Sequence, residues 1–285
     1  MRLLSPAKIN LFLFVTGKRP DGYHTLRTLM CLVGLHDEIT LSFGKGGITC
    51  DCSHPDVPSG PGNLAHRAAT LFLKHDAVRG NSRGDAVAIS INKHIPVGAG
   101  LGGGSSNAAA VLRGLNRHFG RPLSREELIS MGTSLGADVP FFIFGGPALA
   151  GGIGEILHTP PPIRPFKVVL IYPGVAVSTA EVYKNLKLGL TNHEKENREI
   201  LFNGEVFDPT AYLHNDLEAV AVSLCPVIRS AREALSDVGA DGVLTSGSGS
   251  SVFGIFYNAG RAETAVEALR RRYVGWQVFW ADAMV

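Results

Sequence analysis

Short segments in which hydrophobic and polar residues alternate occur along the whole chain, and this period of two is typical of β-strands. The complete set of predicted strands is residues 3–15, 39–43, 48–52, 86–91, 167–172, 242–245, 252–257 and a last one near Trp276. We expect segments 39–43 and 48–52 to pair as a hairpin, because the turn-forming run Gly44-Lys45-Gly46-Gly47 lies between them.

Other segments place apolar residues three or four positions apart, which is the spacing of one helix face. The predicted helices are residues 63–75, 105–119, 124–136, 178–185, one around Leu217, 226–238 and 261–271. Asn63 is a favourable N-cap for the first helix. Ser124 with Glu127 forms the capping-box pattern of the third. Strands and helices are mixed without a regular β-α-β repeat, so we expect an α+β fold.

A proline cluster, Pro160-Pro161-Pro162 followed by Pro165, is the strongest linker signal in the chain. Prolines stiffen the backbone and prevent helix formation locally. We therefore predict an N-terminal domain of residues 1–160 and a C-terminal domain of residues 161–285. A polar stretch at residues 191–203 lies in the second domain.

Composition and charge narrow the possible partners. Hydrophobic residues make up 45% of the chain and the net charge is +2, which is typical of a globular protein without a polyanion-binding surface. No apolar stretch reaches the roughly 18 residues of a membrane span, and residues 1–6 do not lead into a signal peptide. The four cysteines lack zinc-site spacing. We expect a cytoplasmic protein with reduced cysteines and no metal-binding residues, nucleic-acid partner or membrane contact.

A glycine-rich loop from residue 96 to residue 106 is the main chemical signal. It consists of Pro96, Val97, Gly98, Ala99, Gly100, Leu101, Gly102, Gly103, Gly104, Ser105 and Ser106. Its glycines let the backbone approach a ligand closely. The predicted helix that follows would direct its free N–H groups and the positive end of its dipole toward the loop. This combination predicts an anion site, and phosphate is the expected anion.

Several classes of glycine loop bind phosphate, and the neighbouring residues separate them. The spacing of Gly98, Gly100 and Gly103 matches the dinucleotide pattern, but Pro96 separates it from the strand and no strand ending in an acidic residue follows about 20 residues later. The Walker pattern requires a lysine where Gly104 stands. A protein-kinase loop would be followed by a lysine-bearing strand, not by a helix. A tightly packed turn without a ligand is the remaining alternative.

The loop resembles the second motif of the GHMP kinase superfamily, which includes galactokinase, homoserine kinase and mevalonate kinase. Residues 5–12, Ser-Pro-Ala-Lys-Ile-Asn-Leu-Phe, resemble its first motif, and residues 245–253, Thr-Ser-Gly-Ser-Gly-Ser-Ser-Val-Phe, resemble its third. The resemblance implies a ribosomal-S5-domain-2-like N-terminal domain and a ferredoxin-like C-terminal domain. It also implies a kinase (a phosphotransferase) that uses ATP and Mg²⁺ on a small-molecule substrate.

Two further segments are similar to one subgroup of this superfamily. They are residues 17–24, Gly-Lys-Arg-Pro-Asp-Gly-Tyr-His, and residues 135–142, Leu-Gly-Ala-Asp-Val-Pro-Phe-Phe. Members of the subgroup phosphorylate the 2-hydroxyl of a cytidyl diphosphate-linked alcohol in the non-mevalonate route to isoprenoids. The resemblance therefore implies a cytidyl-containing substrate. We expect the protein to be a monomer or a homodimer.

The resemblance implies two catalytic residues. Asp138 is the candidate general base, since phosphoryl transfer to an alcohol needs a carboxylate that takes the hydroxyl proton. The alternative for Asp138 is a helix N-cap before Val139-Pro140. Lys8, in an otherwise apolar strand, is the candidate partner that keeps Asp138 ionised. The alternative for Lys8 is an edge-strand lysine that points to solvent. Asn10 lies on the same strand face and is expected to hydrogen-bond a substrate hydroxyl.

The resemblance also implies a site for the cytosine. Tyr23 would stack on the base, His24 would hydrogen-bond it, and Tyr183, after Thr179, would cover its second face. Stacking of this kind contributes about 1–3 kcal/mol per base. Phenylalanine is the commoner residue of the family at the position of Tyr183, but either ring can stack. The alternative is that both tyrosines belong to the hydrophobic core.

The nucleotide side is predicted from fewer residues. Ser105 and Ser106 are expected to contact phosphate or magnesium, and Asn63, Leu64 and Lys93 to line the adenine and ribose. The third-motif turn, Gly247-Ser248-Gly249, is expected to support the loop and the substrate phosphates, although a tight strand-to-strand turn would have the same sequence. No carboxylate stands out as a magnesium ligand, so ATP phosphates and water would hold the ion.

Two rival functions remain. Another kinase of the superfamily, such as a homoserine kinase, is disfavoured by Tyr23-His24, because a small amino acid offers no base for stacking. A non-catalytic relative that has kept the fold is disfavoured by the presence of both Lys8 and Asp138.

Overall fold

The structure is a computed structural model of the chain that describes residues 1–79, 85–186 and 206–285. The predicted polar stretch 191–203 therefore lies outside the described residues. The chain forms two compact units. Unit 1 comprises Met1–Ala7, His36–Val97 and Gly102–Gly145, and unit 2 comprises Lys8–Leu35, Gly98–Leu101 and Gly146–Val285. The domain boundary after residue 160 stays a prediction.

Strands and helices alternate irregularly, which confirms the α+β class. The strands of the described residues are β1 (Arg2–Lys18), β2 (His24–Lys45), β3 (Ile48–Cys52), β4 (Asp85–Asn92), β5 (Ala148–Gly151), β6 (Ile156–His158), β7 (Lys167–Tyr172), β8 (His214–Asn215), β9 (Gly242–Thr245), β10 (Val252–Phe256) and β11 (Gln277–Met284). The helices are α1 (Leu64–Lys74), α2 (Asp76–Arg79), α3 (Gly103–His118), α4 (Arg125–Thr133), α5 (Val139–Phe144), α6 (Thr179–Asn185), α7 (Glu218–Leu224), α8 (Val227–Asp237) and α9 (Ala259–Arg272).

Unit 1 packs helices against a sheet. α1 and α3 contact each other, and each buries a face rich in alanine, which allows close approach. Gly114 of α3 lies directly against β1 and β2, since a Cβ there would be 2.6 Å from Leu3 Cδ1 and 2.8 Å from Leu41 Cδ1. The predicted caps are confirmed. The Asn63 side chain accepts a hydrogen bond from the amide of Ala65, and both bonds of the Ser124 capping box are present.

One predicted pairing in unit 1 is wrong. β2 and β3 are consecutive in the sequence but do not form a hairpin, because β4 lies between them. β4 pairs antiparallel with β2 and parallel with β3. The glycine run after Phe43 allows the chain to leave the sheet edge, and the apolar residues of β4 are buried more completely at the centre of the three strands than they would be at an edge.

Unit 2 contains the predicted ferredoxin-like arrangement. Four antiparallel strands are ordered β11-β7-β10-β9, and α8 and α9 pack on them. The elements α6, β8 and α7 are inserted between β7 and α8. Without them the chain order is β7-α8-β9-β10-α9-β11, which is the β-α-β-β-α-β order of that fold. The helices and strands enclose a core that includes Val169, Leu235, Phe256 and Leu269.

Unit 2 also holds strands that the sequence pattern did not predict. β5 pairs with β2 through Thr28 to Met30, and β6 pairs with β5. β2 itself begins at His24, well before the predicted segment 39–43. The alternating pattern of its first half is obscured because successive residues from Leu29 to Val33 are all buried. A strand buried on both faces loses its period of two.

The cysteines and the helix lengths can be compared with the expectations from composition. None of the four cysteines takes part in a disulfide, and Cys31, Cys50 and Cys225 are buried. Within the described ranges, no helix has both the length and the apolar character that crossing a bilayer requires.

We predict that Asn116→Ala destabilises α3 without touching the candidate site. The Asn116 amide is buried and donates to the carbonyl of Leu123 at 2.9 Å, while its oxygen accepts from the amide of Leu123 at 3.0 Å. Removing it leaves both backbone groups unpaired, so urea denaturation should show a loss of about 2 kcal/mol in the free energy of unfolding. Arg117→Ala, at the exposed neighbouring position, should change it by less than about 0.5 kcal/mol.

Candidate active site

The first turn of α3 lies in unit 1 and offers free backbone N–H groups. The helix begins at Gly103, two residues before its predicted start, and Gly102 adopts a left-handed φ of 70° at the N-cap. Among the described residues, no side chain caps these amides. Uncapped N–H groups at the positive end of a helix dipole attract anions. The free amides that the anion-site prediction requires are therefore present, and the binding of an anion there stays a prediction.

Ser105 and Ser106 differ in their surroundings. Ser106 is 1% exposed, and its hydroxyl oxygen accepts a hydrogen bond from the Ser5 hydroxyl at 2.8 Å. Ser105 is half-buried and lies beside the turn before α5, since a Cβ on Gly136 would be 3.9 Å from its Oγ. Of the two hydroxyls, Ser105 is the better placed to contact a ligand.

Asp138 also belongs to unit 1 and precedes α5. It occupies the N-cap position that the alternative interpretation assigned to it, but its φ and ψ of −85° and −13° are helical and its side chain makes no capping hydrogen bond. The carboxylate is half-buried. Gly136 brings the turn of Asp138 next to Ser105. The capping role therefore does not account for an aspartate here, which leaves its carboxylate available for chemistry.

The residues predicted for the adenine and ribose are strongly engaged inside unit 1. The Lys93 ammonium lies 2.6 Å from Asp37 Oδ2, and its side chain is only 4% exposed. The Asn63 amide nitrogen donates to the carbonyl of Pro58 at 2.9 Å while its oxygen caps α1. Leu64 is half-buried at the first position of α1. Contacts of these three residues with a nucleotide stay predictions.

The first half of the loop, Gly98–Leu101, lies in unit 2 and is held by its carbonyl groups. The carbonyls of Gly98, Ala99, Gly100 and Leu101 accept hydrogen bonds from Val177 N, Ser251 N, Ser246 Oγ and Lys8 N respectively, at 3.0–3.1 Å. Gly100 has a φ of +76°, and a Cβ there would lie 2.1 Å from the carbonyl oxygen of Ser246. The third-motif turn therefore supports the loop, as predicted.

Lys8 is buried in unit 2 and oriented by Asn10. The lysine is 4% exposed, so the alternative of a solvent-facing edge lysine is wrong. Its ammonium donates to Asn10 Oδ1 at 2.6 Å, and Asn10 Nδ2 donates to Thr28 Oγ1 at 2.9 Å. Both polar atoms of the Asn10 amide are thus used within the unit. This geometry gives Asn10 the role of orienting Lys8, and its contact with a substrate hydroxyl stays a prediction.

The third-motif turn reaches Lys8 as well. A Cβ on Gly247 would lie 3.1 Å from Lys8 Nζ. Asn215 Nδ2 holds the turn by donating to the carbonyls of Thr245 and Gly247 at 2.9 and 2.7 Å. The absence of a side chain at Gly247 leaves room for the ammonium group.

Thr28 and Asp37 are not among the residues predicted for the site. Thr28 accepts a hydrogen bond from Asn10, which orients Lys8, and Asp37 pairs with Lys93. Both are fully or nearly buried polar residues in β2. A polar residue in an otherwise apolar strand is the signal that singled out Lys8, and it could have singled out these two residues if the extent of β2 had been recognised.

The residues predicted for the cytosine lie in unit 2. His24 stacks on Tyr183 with ring centroids 5.0 Å apart and an interplanar angle of 24°. Tyr23, next in the chain, is 58% exposed, so it is not a core residue. Thr179 lies at the start of α6, with its hydroxyl 2.7 Å from the Ser248 hydroxyl. The structure brings His24 and Tyr183 together, and the binding of a base by this group stays a prediction.

The surroundings of His24 favour the neutral form of its imidazole. Partial burial, and to a smaller extent the positive charge of Lys18, lowers the pKa of its imidazole below the ordinary value of 6.5. A neutral imidazole carries one donor and one acceptor nitrogen. It can therefore hydrogen-bond an uncharged partner without burying a charge.

Comparison with known proteins gives matches along nearly the whole chain. Residues 63–146 match the model of the GHMP kinases N terminal domain, and residues 191–275 match that of GHMP kinases C terminal. A relative from Syntrophotalea carbinolica is 47% identical over 277 residues, which is 97% of this chain and 96% of the relative. Another from Geobacter sp. strain M21 is 48% identical over 278 residues, with the same coverage. Both are named 4-diphosphocytidyl-2-C-methyl-D-erythritol kinase.

A solved structure supports the same relationship. The crystal structure of a 4-(cytidine 5'-diphospho)-2C-methyl-D-erythritol kinase aligns with a TM-score of 0.79 at 35% identity, and the alignment covers 100% of both chains. The predicted two-domain fold is thereby confirmed.

We predict that Gly100→Ala disrupts the loop and that Gly104→Ala does not. An alanine at position 100 would meet the Ser246 carbonyl and adopt an unfavourable left-handed φ, so the free energy of unfolding should fall by about 2 kcal/mol or more. At Gly104 no atom of the described structure lies within 4 Å of a new Cβ, and alanine favours the helix. Chemical denaturation of both variants would test this difference, and equal losses would contradict it.

Proposed function

The chain belongs to the GHMP kinase family, and on that premise we propose that it is an ATP-dependent kinase acting on 4-diphosphocytidyl-2-C-methyl-D-erythritol. The reaction transfers the γ-phosphoryl group of ATP to the 2-hydroxyl of this alcohol. The product would continue along the non-mevalonate route to isopentenyl diphosphate.

The observation that carries the proposal is the similarity to relatives of that name, at 47–48% identity over 97% of the chain. The solved structure of a kinase of that name aligns over 100% of this chain, so the likeness includes every segment that supplies a candidate site residue. The rival homoserine kinase function has no comparable support, because its substrate would leave the His24–Tyr183 ring pair without a role.

Asp138 and Lys8 carry the proposed chemistry. The Asp138 carboxylate takes the proton of the 2-hydroxyl while the oxygen forms a bond to the γ-phosphorus of ATP, and the bond from that phosphorus to the bridging oxygen breaks to release ADP. The lysine supplies positive charge that favours the ionised carboxylate and attracts the reacting groups. Asn10 and Thr28 support this role, because they fix the direction of the lysine side chain.

The triphosphate is proposed to bind at the first turn of α3, where the uncapped amides and the helix dipole favour negative charge. Among the described residues there is no cluster of three or more His, Cys, Asp or Glu side chains that could hold a metal ion. Mg²⁺ is proposed to be held by phosphate oxygens and water, with the Ser105 hydroxyl as the candidate protein ligand. It would supply charge neutralisation at the transferred phosphoryl group.

Cytosine recognition is assigned to Tyr23, His24 and Tyr183, with Thr179 beside them. Two aromatic rings can sandwich a base, and a neutral His24 can hydrogen-bond its edge. The close approach of His24 to Tyr183 and the exposure of Tyr23 support this assignment.

The proposed substrate can be tested with an assay that couples ADP release to a spectrophotometric signal. We expect turnover with the cytidyl diphosphate alcohol and little with methylerythritol phosphate, which lacks the base. Tyr183→Ala should raise the KM for the cytidyl substrate about tenfold, since one stacking face is lost, and Tyr183→Phe should restore it. Equal activity on the two alcohols would refute the cytosine assignment.

Asp138→Asn should lower kcat by about 10²- to 10⁴-fold, because the amide cannot accept the hydroxyl proton. The dissociation constant for ATP, measured by calorimetry, should remain close to that of the wild type, since Asp138 is not proposed to bind the nucleotide. Glu126→Gln, an exposed carboxylate on α4, is the matched control and should keep full turnover. Undiminished kcat in Asp138→Asn would show that another group is the base.

A further inference from the structure

The glycine-rich loop is flanked in sequence by Ile95 and Asn107, and a single buried carboxylate contacts both flanks. Asp37 of β2 has no exposed surface. Its Oδ1 accepts hydrogen bonds from the backbone amides of His94 and Ile95, each at 2.8 Å. Its Oδ2 accepts from Asn107 Nδ2 at 2.8 Å and from Lys93 Nζ at 2.6 Å. The two oxygens thus join the residues just before the loop to the residue just after it.

The hydrogen bonds continue from Asn107 into the first turn of α3. Asn107 Nδ2 also donates to Ser5 Oγ at 2.9 Å, and the Ser5 hydroxyl donates to Ser106 Oγ at 2.8 Å. All three side chains are at least nine-tenths buried. The Ser106 side chain, in the first turn of α3, is therefore connected to Asp37 through Ser5 and Asn107.

The position of Lys93 shows why a carboxylate is needed. A Cβ on Gly103 would lie 2.7 Å from Lys93 Nζ, so the ammonium lies against the first residue of α3. A buried cation at the positive end of a helix dipole is unfavourable on two counts, desolvation and repulsion. The Asp37 carboxylate neutralises it, so the local field at the helix end remains that of the free amides.

We infer that Asp37 is a positioning residue for ATP binding, which holds the two ends of the glycine-rich loop at the spacing that the triphosphate requires. The inference rests on the proposed function in that ATP is taken as the ligand of this loop. Asp37 itself is fully buried and acts through Lys93, Asn107 and the backbone. Its effect should appear in the affinity for ATP and not in that for the alcohol substrate.

The direct test is Asp37→Asn. The new amide keeps one acceptor oxygen for His94 and Ile95 but presents an NH₂ group to two other donors, and the charge of Lys93 loses its counterion. We expect the dissociation constant for Mg-ATP, measured by calorimetry, to rise at least about tenfold. In steady-state assays the KM for ATP should rise while the KM for the alcohol stays within about twofold.

Exchanging the carboxylate and the amide between positions 37 and 107 tests whether lost ATP affinity reflects lost positioning or a general loss of stability. The double variant Asp37→Asn with Asn107→Asp returns a carboxylate to the cluster on the opposite partner, and it should recover most of the lost ATP affinity. Asn107→Asp alone places two carboxylates side by side and should weaken ATP binding. If the double variant is no better than the sum of the two single changes, the positioning role is refuted.

Asn116→Ala is the stability control, because it weakens the same helix at its other end. We expect this variant to lower the melting temperature while leaving the dissociation constant for ATP unchanged. If Asn116→Ala and Asp37→Asn lower the melting temperature equally and also weaken ATP binding equally, the affinity for ATP follows stability alone and Asp37 is not a positioning residue. Should Asp37→Asn not fold, Asn107→Ala, which removes one neutral donor, takes its place in the same comparison.

Measuring ATP binding and turnover of the wild-type protein distinguishes a failure of the Asp37 role from a failure of the proposed function. A wild-type protein that binds ATP but phosphorylates no cytidyl alcohol would refute the proposed substrate, and the ATP affinities of the variants would still test Asp37. A wild-type protein that does not bind ATP would overturn both. Unchanged ATP affinity in a folded Asp37→Asn variant would overturn the Asp37 role alone.

Discussion

The free-energy cost of burying a charged group without partners controls how the candidate site is built. Two lysines and one aspartate are buried, and each is matched by specific polar contacts. In unit 2, Lys8 donates to Asn10, which in turn donates to Thr28. In unit 1, Asp37 receives four hydrogen bonds, including that of Lys93. These contacts leave each charged side chain a single favourable orientation, which is the preorganisation that phosphoryl transfer needs.

Close backbone approach is the second constraint, and it explains where glycine is required. A side chain at position 100 would collide with the carbonyl oxygen of Ser246. A side chain at position 103 would collide with the Lys93 ammonium. Gly104 has no such neighbour in the described structure. The loop is therefore not uniformly flexible. Its first half is hydrogen-bonded through four successive carbonyls, and its second half is the start of a helix.

These constraints support the proposed phosphate site, which has no Walker lysine. The Walker motif supplies a lysine to the phosphates directly. Here the lysine beside the helix end is paired with Asp37, and the uncapped amides of α3 contribute positive potential at the same place. An arrangement of this kind depends on the accurate direction of backbone N–H groups, and that direction is set by residues buried beneath the loop.

The sequence by itself determined the α+β class, the family and seven of the nine helices of the described residues, with α2 and α5 missed. The helix caps of Asn63 and Ser124 and the glycine string involve residues close together in the chain, so local pattern is enough to recognise them. The tertiary structure alone decided the insertion of β4 between β2 and β3, the use of Asn10 to orient Lys8, and the place of Asp37 beneath the loop. Such contacts join residues far apart in the chain. Their partners are chosen by burial and hydrogen-bond satisfaction in the folded state, which no local periodicity records.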